Sequence, residues 1–517
     1  MTITQTGFGG PGEARGTVYG NRAGIAAGRR EWWIAAAILV AAAFLIRMWQ
    51  FGNPLLHVDE DFYLLVGDRM LHGALPYVDI WDRKPIGLFL IYAAIRELGG
   101  AGFVQYQVVA TLFAAATAII IARIAAHMTT LPAAVVTGIL YLLLIGLAGG
   151  MGGQAPVFYN PLVAAAALVA LGTFLTEAPS RARIRRDGLI TMVLVGLAMQ
   201  IKYSAVFEGV FFGILYLVMA WRARIGIAAL LVDGALWIAM ALLPTALAFG
   251  YYALRGQADA FLYANFFSIS ARGGTSWKDL GSRLGDTFAV LALPLVGVLL
   301  SVVLESWRSF PQGVRAFCFV MMWLGAAFFG YFAFGTFFDH YALPLMAPIA
   351  AACGPLFFVR RGYIGRIAAT VLLLAGAIAY FGFAQAVKKR RGTQASLDAM
   401  VAAIRPHLTN CLYVYDGETI LYYVVPSCYP SRYAFAPHLN LTREAGAIGV
   451  DPLAEIRRIM RGRPSVVVDT RSEKEKYENP VANALMRGYL ARNYHLVGQV
   501  PRRRTVTMIY AINKPAR

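Results

Sequence analysis

Long apolar runs alternate with short polar joints over three quarters of the chain. The first, EWWIAAAILVAAAFLIRMWQF, begins after Arg29 and Arg30 and is long enough to cross about 30 Å of hydrocarbon. It lacks the small-residue cleavage site of a secretory signal, so it reads as an anchor. Further runs lie at roughly 103–127, 131–149, 156–176, 188–220, 227–253, 286–304, 314–335, 341–359 and 367–386.

The 188–220 run is too long for one crossing. It starts after RARIRR (Arg181 to Arg186) and ends at WRAR (Arg222, Arg224), and basic clusters mark the cytoplasmic side, so both of its ends belong inside. The run therefore predicts a hairpin broken at QIKYSAVFEG. Its first leg has about 14 residues, or about 21 Å at 1.5 Å per residue, too short to cross fully.

With the hairpin counted as two, the pattern predicts about eleven spans, the N-terminus inside and the C-terminus outside. Arg308 with Arg315, and Arg360 and Arg361 with Arg366, fall on the predicted inner side, while the predicted outer loop GGMGGQAPVFYN carries no formal charge. Three segments then lie outside: the loop after the first span, a loop near 254–285, and a soluble tail. The expected division is a cytoplasmic N-terminal tail 1–31, a transmembrane catalytic domain 32–386 with its first outer loop at 51–102, and a periplasmic or extracellular domain 387–517. In that last part CLYVYD, ILYYVV and SVVVDT read as strands and DPLAEIRRIMRGR as a helix, a small α/β domain.

Composition supports the membrane reading. Hydrophobic residues make up 58% of the chain and charged residues 15%, against about 25% charged in soluble domains. The expected class is therefore a mainly α, polytopic integral membrane protein of the cytoplasmic (inner) membrane, bacterial in type, with no nucleic acid as partner. Of the formal net charge of +19, +11 comes from residue 387 onward, where 21 Lys and Arg face 10 Asp and Glu. Such a basic surface fits either contact with anionic lipid or polysaccharide, or a solvated face. Cys411 and Cys428 lie in this tail, where an oxidising compartment would permit a disulfide.

Against this background HVDEDFYLLVGDRMLHGALPYVDIWDRKPIGLFLIY (His57 to Tyr92) stands out, with six carboxylates next to apolar segments. Phe62, Leu65, Val66, Arg69 and Met70 follow helical spacing up to the stop signals Gly73 and Pro76, which predicts an amphipathic helix along the interface. Asp59 could simply favour the start of that helix, but this explains one acid and not the cluster. Pro85 suits the first turn of a second interfacial helix ending at Gly99. Arg83 and Lys84 then sit at its N-terminus, where the dipole disfavours cations. Two cations beside free backbone N–H groups suit a phosphate, although an ion-pair net with Asp79 and Asp82 would also place them there. Lys202, at the hairpin break, is costly near hydrocarbon and calls for a partner: Glu208, or the phosphate of a bound lipid. FFDHYALP puts Asp339, His340 and Tyr341 at the outer end of another span. These positions are expected to converge.

The order of elements resembles the GT-C glycosyltransferases that use polyprenyl-phosphate sugars, meaning the family 39 protein mannosyltransferase-like group and its relatives that transfer aminoarabinose to lipid A. The residues that carry the likeness are DED (Asp59 to Asp61), GDRMLHGALPYVDIWDRKPIGLFLIY (Gly67 to Tyr92), IKYSA (Ile201 to Ala205), HYALPLMAP (His340 to Pro348) and LYVYDGETILYY (Leu412 to Tyr423). The resemblance implies that Asp59 is the catalytic carboxylate that activates an acceptor hydroxyl and that Glu60 assists it. It also implies that Lys84, with Arg83 beside it, holds the carrier phosphate, and that Lys202, His340 and Tyr341 complete the cradle. The donor would be a polyprenyl-phosphate sugar, the acceptor a lipid, glycan or protein, and attack opposite the carrier would invert the anomeric centre.

The chain departs from the aminoarabinose group at the next outer loop, where GGQAPVFYNP offers Gln154 and Asn160 rather than a carboxylate. A neutral amide is a weak ligand for a hard cation, so no metal or other cofactor is assigned, with Asp59 left as the candidate ligand. Two other readings stay open: a ligase moving whole glycans from a polyprenyl diphosphate, which would call for more basic residues, and a lipid or polysaccharide transporter, which internal repeats would favour.

Overall fold

The computed structural model describes residues 24–358, 362–472 and 478–513. The predicted N-terminal tail up to residue 23, and Arg360 and Arg361, lie outside the described residues.

Every predicted span is helical. In chain order the helices are α1 (Arg29–Arg47), the loop helices α2 (Val58–Leu71) and α3 (Ile86–Arg96), then α4 (Phe103–Ala125), α5 (Leu131–Leu147), α6 (Ala155–Leu175), α7 (Arg181–Met199), α8 (Val206–Arg222), α9 (Ile227–Leu254), α10 (Trp277–Leu304), α11 (Gly313–Phe334), α12 (Leu343–Cys353) and α13 (Gly362–Arg391). Among the described residues, eight helices are long and apolar enough to cross a membrane, and Leu131–Leu147 and Leu343–Phe357 are shorter apolar helices. The protein is thus a multi-pass integral membrane protein. Helix α4 packs against α1, α5 and α6, and α7 against α6 and α9. At these contacts Ala110, Ala114, Ala118, Ala166 and Ala170 are fully buried, and such small side chains let helices approach closely where no hydrophobic effect drives them together.

The hairpin breaks where expected, between Met199 and Val206, but its first leg is longer than the 14 residues expected. RARIRR is part of the helix, whose first turn is capped by the Ser180 hydroxyl accepting from the Arg183 amide, so α7 has 19 residues and spans about 28 Å.

Helix α2 also differs from expectation. It is not a surface helix with one wet face: Glu60 through Gly67 are all buried. Helix α3 covers one side, so closely that a Cβ on Gly67 would lie 2.7 Å from the Ala93 backbone nitrogen. The tail covers another, with Phe435 packed 5.1 Å from the Phe62 ring. Pro85 stands at the N-cap of α3 rather than inside its first turn, and the helix ends at Arg96, before Gly99.

The tail adds α14 (Gln394–Ile404), α15 (Pro452–Arg461) and α16 (Pro480–Asn493) to a four-stranded sheet of β1 (Leu412–Val414), β2 (Val466–Ser472), β3 (Tyr494–Pro501) and β4 (Thr505–Ile512). Strand order is β1-β2-β4-β3; β1 and β2 are parallel and the remaining pairs antiparallel. ILYYVV is not a strand. Leu421–Val424 form a helical turn, because the amides of Leu421, Tyr422 and Tyr423 find acceptors locally on Glu418, Thr419 and Ile420 while the Tyr422 hydroxyl satisfies the Val414 amide. Strands β3 and β4 escaped the sequence reading, since β3 has only three strongly apolar side chains, Leu496, Val497 and Val500. Cys411 and Cys428 form a disulfide, with Cα atoms 4.8 Å apart. One face of the sheet (Leu412, Val414, Val466, Val468, Ile509) belongs to the same buried core as the helices, so the tail is fastened to the body rather than tethered to it.

Candidate active site between the first loop, the hairpin break and the tail

The loop after α1, the segment after α9 and the tail meet. The Trp81 amide donates to the Arg432 carbonyl (2.9 Å), and the Gly273 amide to the Arg443 carbonyl (2.9 Å). Between them lies a cavity of about 480 Å³. Of the seven residues expected to form the site, six line it: Asp59, Arg83, Lys84, Lys202, His340 and Tyr341.

Asp59 sits in the first turn of α2, whose N-cap is His57; the Asp59 amide donates to His57 Nδ1 (3.2 Å). Burial pushes the Asp59 carboxyl up, but Lys84, then His57 and His340, with a hydrogen bond from Gln154, hold it well below the usual carboxylate range. It is therefore a carboxylate at neutral pH. His57 is the reverse case: burial lowers its imidazole to about 4, and it is neutral. Its Nδ1 also faces Gln154 Nε2 at 2.6 Å.

Lys84 and Lys202 come together through a backbone contact. The Leu88 amide donates to the Gln200 carbonyl (3.2 Å), and Gly87 permits it, since a Cβ there would lie 2.6 Å from that oxygen. The start of α3 is thus pressed against the hairpin break. Lys84 Nζ lies 3.9 Å from Asp82 and 5.4 Å from the centre of the Tyr63 ring. Lys202 is 7% exposed, with Nζ 3.8 Å from the centre of the Tyr341 ring, a cation–π contact. Glu208 makes no ion pair with Lys202 among the described residues, so the plainer of the two partners expected for this lysine is not within contact. Burial, and next the charge on Lys84, lower Lys202 to about 7. A phosphate between the two lysines would restore its proton.

Two expectations change. Glu60 does not share the cavity with Asp59, because successive residues of a helix point about 100° apart. Its side chain is fully buried beside the GGMGG loop, where a Cβ on Gly152 would meet Oε2 at 1.9 Å, and it lines a separate void of about 60 Å³. Burial raises its carboxyl to about 7, against the opposing pull of nearby Arg47. Arg47 itself, unnoticed in the sequence, clamps that loop by donating to the carbonyls of Gly150 (2.6 Å) and Gly152 (2.8 Å). Arg83 lines the cavity, but its guanidinium is engaged by Glu444 at 2.6 Å rather than by a net of Asp79 and Asp82. Asp79 instead accepts from the Leu75 amide.

Asp339, expected to converge with its neighbours His340 and Tyr341, lines the cavity too, but several lining residues were missed: His57; Arg272 and Arg283 from the segment after α9; and Phe435, His438, Arg443 and Glu444 from the tail. The last four sit in a stretch without helical or strand periodicity, and only the tail's basic balance pointed towards them.

The donor set also bears on metal binding. Ligand atoms of His57, Asp59 and His340 lie within 4.8 Å of one another. Two imidazoles and a carboxylate suit a transition metal such as zinc better than a hard cation. Gln154 and Asn160 would not add ligands: Gln154 serves His57, and Asn160 donates to the Tyr141 hydroxyl (3.1 Å).

No protein-family model matches the chain, and no curated protein does. Solved structures do. ArnT from Cupriavidus metallidurans in the apo state superposes with a TM-score of 0.58 at 15% identity, over 92% of this chain and 97% of that one. The same protein bound to undecaprenyl phosphate gives 0.60 at 14% identity, over 93% and 98%. The chain has the ArnT fold. The GT-C fold expected from the first loop and the hairpin is therefore present over nearly its whole length, soluble tail included. A looser likeness, with a TM-score of 0.48 at 12% identity over 85% of this chain and 70% of the other, runs to the apo oligosaccharyltransferase of Archaeoglobus fulgidus.

Proposed function

We propose that the protein is a glycosyltransferase that moves a single sugar from a polyprenyl-phosphate-linked donor to an acceptor on the outer face of the cytoplasmic membrane. The observation that carries this reading is the meeting of one ionised carboxylate, Asp59, with two lysines, Lys84 and Lys202, in a single cavity. The ArnT fold, in a protein crystallised with undecaprenyl phosphate, supports a lipid-linked donor and favours an enzyme over a transporter. In this reading the cavity, the segment after α9 and the tail all lie on the outer side.

The reaction needs a base near the incoming hydroxyl and positive charge where the leaving phosphate develops its own. Asp59 accepts the proton of the acceptor hydroxyl as its oxygen bonds to the anomeric carbon. The bond from that carbon to the phosphate oxygen breaks with its electron pair, which leaves on the polyprenyl phosphate between Lys84 and Lys202. Attack opposite the departing carrier inverts the anomeric centre. Lys202 and His340 both contact Tyr341, which orders that end of the cradle. A metal held by His57, Asp59 and His340 would supply Lewis-acid polarisation of the acceptor; the residues present fit one.

The second reading, a glycan ligase that uses a polyprenyl diphosphate, gains from Arg272 and Arg443, which add positive charge to the cavity beyond that seen in the first loop. The test is Asp59→Asn in the purified full chain, assayed for sugar transfer and separately for undecaprenyl phosphate binding. We expect transfer to fall by about a thousandfold with carrier binding intact. Full activity in this variant would falsify the mechanism. Mass spectrometry of glycans and envelope lipids from cells with and without the protein would identify sugar and acceptor.

A further inference from the structure

Part of the tail's basic balance gathers at a place the cavity does not use. KKRR (Lys388 to Arg391) ends α13, and RRR (Arg502 to Arg504) lies at the turn between β3 and β4. Arg502 Nη1 donates to the Arg391 carbonyl (3.0 Å), which seats the turn on the end of the helix, and Arg390 and Arg504 are close enough to repel one another. Glu418, 5% exposed, accepts from both Arg391 and Arg502 and so balances the inner side of this cluster. Lys389, Arg390, Arg503 and Arg504 are exposed, and none of them has an ion-pair partner among the described residues; Asp339 attracts Arg390 only at longer range. The cluster lies at the level where hydrocarbon ends. Helix α13 is apolar enough to cross a membrane, and KKRR is its polar end. Lys388 Nζ donates to the Trp49 carbonyl (2.8 Å) just beyond the end of α1, where Met48 and Trp49 are exposed. Tryptophan beside lysine and arginine at the end of an apolar helix is the composition of a membrane–water interface. Arg391 Nε donates to the Leu55 carbonyl (3.3 Å), so the same cluster touches the loop that leads into α2.

We propose that the joined ends of α13 and the β3–β4 turn form a docking surface for the headgroups of anionic phospholipids, in the leaflet from which α13 emerges. These lipids clamp the tail against the bilayer beside the first loop. Each Lys or Arg held at a negatively charged membrane surface adds to the attraction, and salt screens it. The partner is lipid because the four unpaired cations stand where a membrane helix meets headgroups, so their counter-charge is supplied by the bilayer itself. None of KKRR or RRR lines the Asp59 cavity, so the inference stands apart from the sugar-transfer reading.

The test titrates the full-length protein, in neutral detergent, with phosphatidylglycerol and with phosphatidylcholine, and counts bound lipids by native mass spectrometry. Wild type binds phosphatidylglycerol about tenfold or more tightly than phosphatidylcholine, and the preference shrinks as salt is raised. The triple variant Lys389→Gln, Arg503→Gln, Arg504→Gln removes the preference; Arg390 is left in place because it also lines two neighbouring cavities. A control variant, Arg457→Gln, Arg461→Gln, Arg463→Gln, removes equal charge from exposed residues elsewhere in the tail and keeps the preference. In it Arg461 and Arg463 lie beyond the far end of the sheet: Ser472 pairs with Thr505 beside the turn and Val466 with Ala511, which puts about 20 Å of strand between the two ends. Where the triple variant does not fold by its thermal transition, Lys389→Gln and Arg504→Gln singly carry the test, each lowering the preference about fivefold. Undecaprenyl phosphate affinity stays as in wild type in all of these variants. No preference in wild type, or equal losses in the triple and control variants, overturns the proposal, as does a parallel loss of undecaprenyl phosphate, which would assign the cluster to the cavity. Binding of dextran sulfate that the triple variant abolishes, without selection of phosphatidylglycerol, would give the surface to a polyanionic glycan instead and overturn the lipid reading.

Discussion

The cavity has two walls of different origin. The body wall comes from regular elements at their breaks: the first turn of α2, the start of α3 and the α7–α8 joint carry Asp59, Lys84 and Lys202. The tail wall comes from segments near 265–283 and 435–444, built mainly of short helical turns and loops, which bring Arg272, His438, Arg443 and Glu444. On the body wall Asp59 suits its helix start, but both lysines offend a local rule, Lys84 as a cation at a helix start and Lys202 as a charge beside hydrocarbon at the hairpin break, and the offence marks function. On the tail wall no charge offends locally. Its unusual feature, three guanidiniums about one carboxylate, exists only after residues 83, 272, 443 and 444 meet.

The sharpest way to separate the walls is to remove the body lysines singly. Lys84→Ala and Lys202→Ala should each weaken undecaprenyl phosphate binding by about 10- to 100-fold, the value of one charge-assisted hydrogen bond to a phosphate. Unchanged carrier affinity in either variant would remove that lysine from the cradle.

Much of this contrast explains what the sequence could reveal. The helical body was legible because each run of apolar residues has one cheap solution in lipid, a helix, and the hairpin at 188–220 followed from basic residues at both ends. Six of the seven expected site residues share the cavity for the same reason: they flank helix ends that hydropathy locates. Glu60 was misplaced because adjacency in sequence says nothing of which face of α2 a side chain takes. The tail was only partly legible. Leu421–Val424 has the apolar content of a strand, and nothing local tells that β1 pairs with β2 on one side while a helical turn covers it on the other.

A smaller effect should distinguish the two walls by pH. Lys202 is lowered to about 7 by burial and by Lys84, so in the free protein it loses its proton as pH rises through neutrality. A bound phosphate favours the charged form, and binding therefore takes up a proton above pH 7. Carrier affinity should fall between pH 7 and 9, by at most about tenfold per pH unit for one proton. Arginines do not titrate in this range, so the tail wall adds nothing to that fall. Calorimetry in buffers of different ionisation heat counts the protons directly; equal uptake in wild type and Lys202→Gln would show that this lysine is not the source.

The smallest change tests how the body wall is assembled. Gly87→Ala adds one methyl group where the start of α3 meets the Gln200 carbonyl, 2.6 Å from the added carbon. The obstacle is backbone, not the end of a flexible side chain, so α3 or the hairpin break must shift, at a cost of about 1–3 kcal/mol. Neither lysine is altered, yet the distance between Lys84 and Lys202 grows, and a phosphate that needs both loses part of one contact. Carrier affinity should fall by roughly three- to tenfold, less than for removal of either lysine. Unchanged carrier affinity would mean that the backbone gives way without parting the two lysines, and that the contact between α3 and the hairpin break does not set the spacing of the body wall.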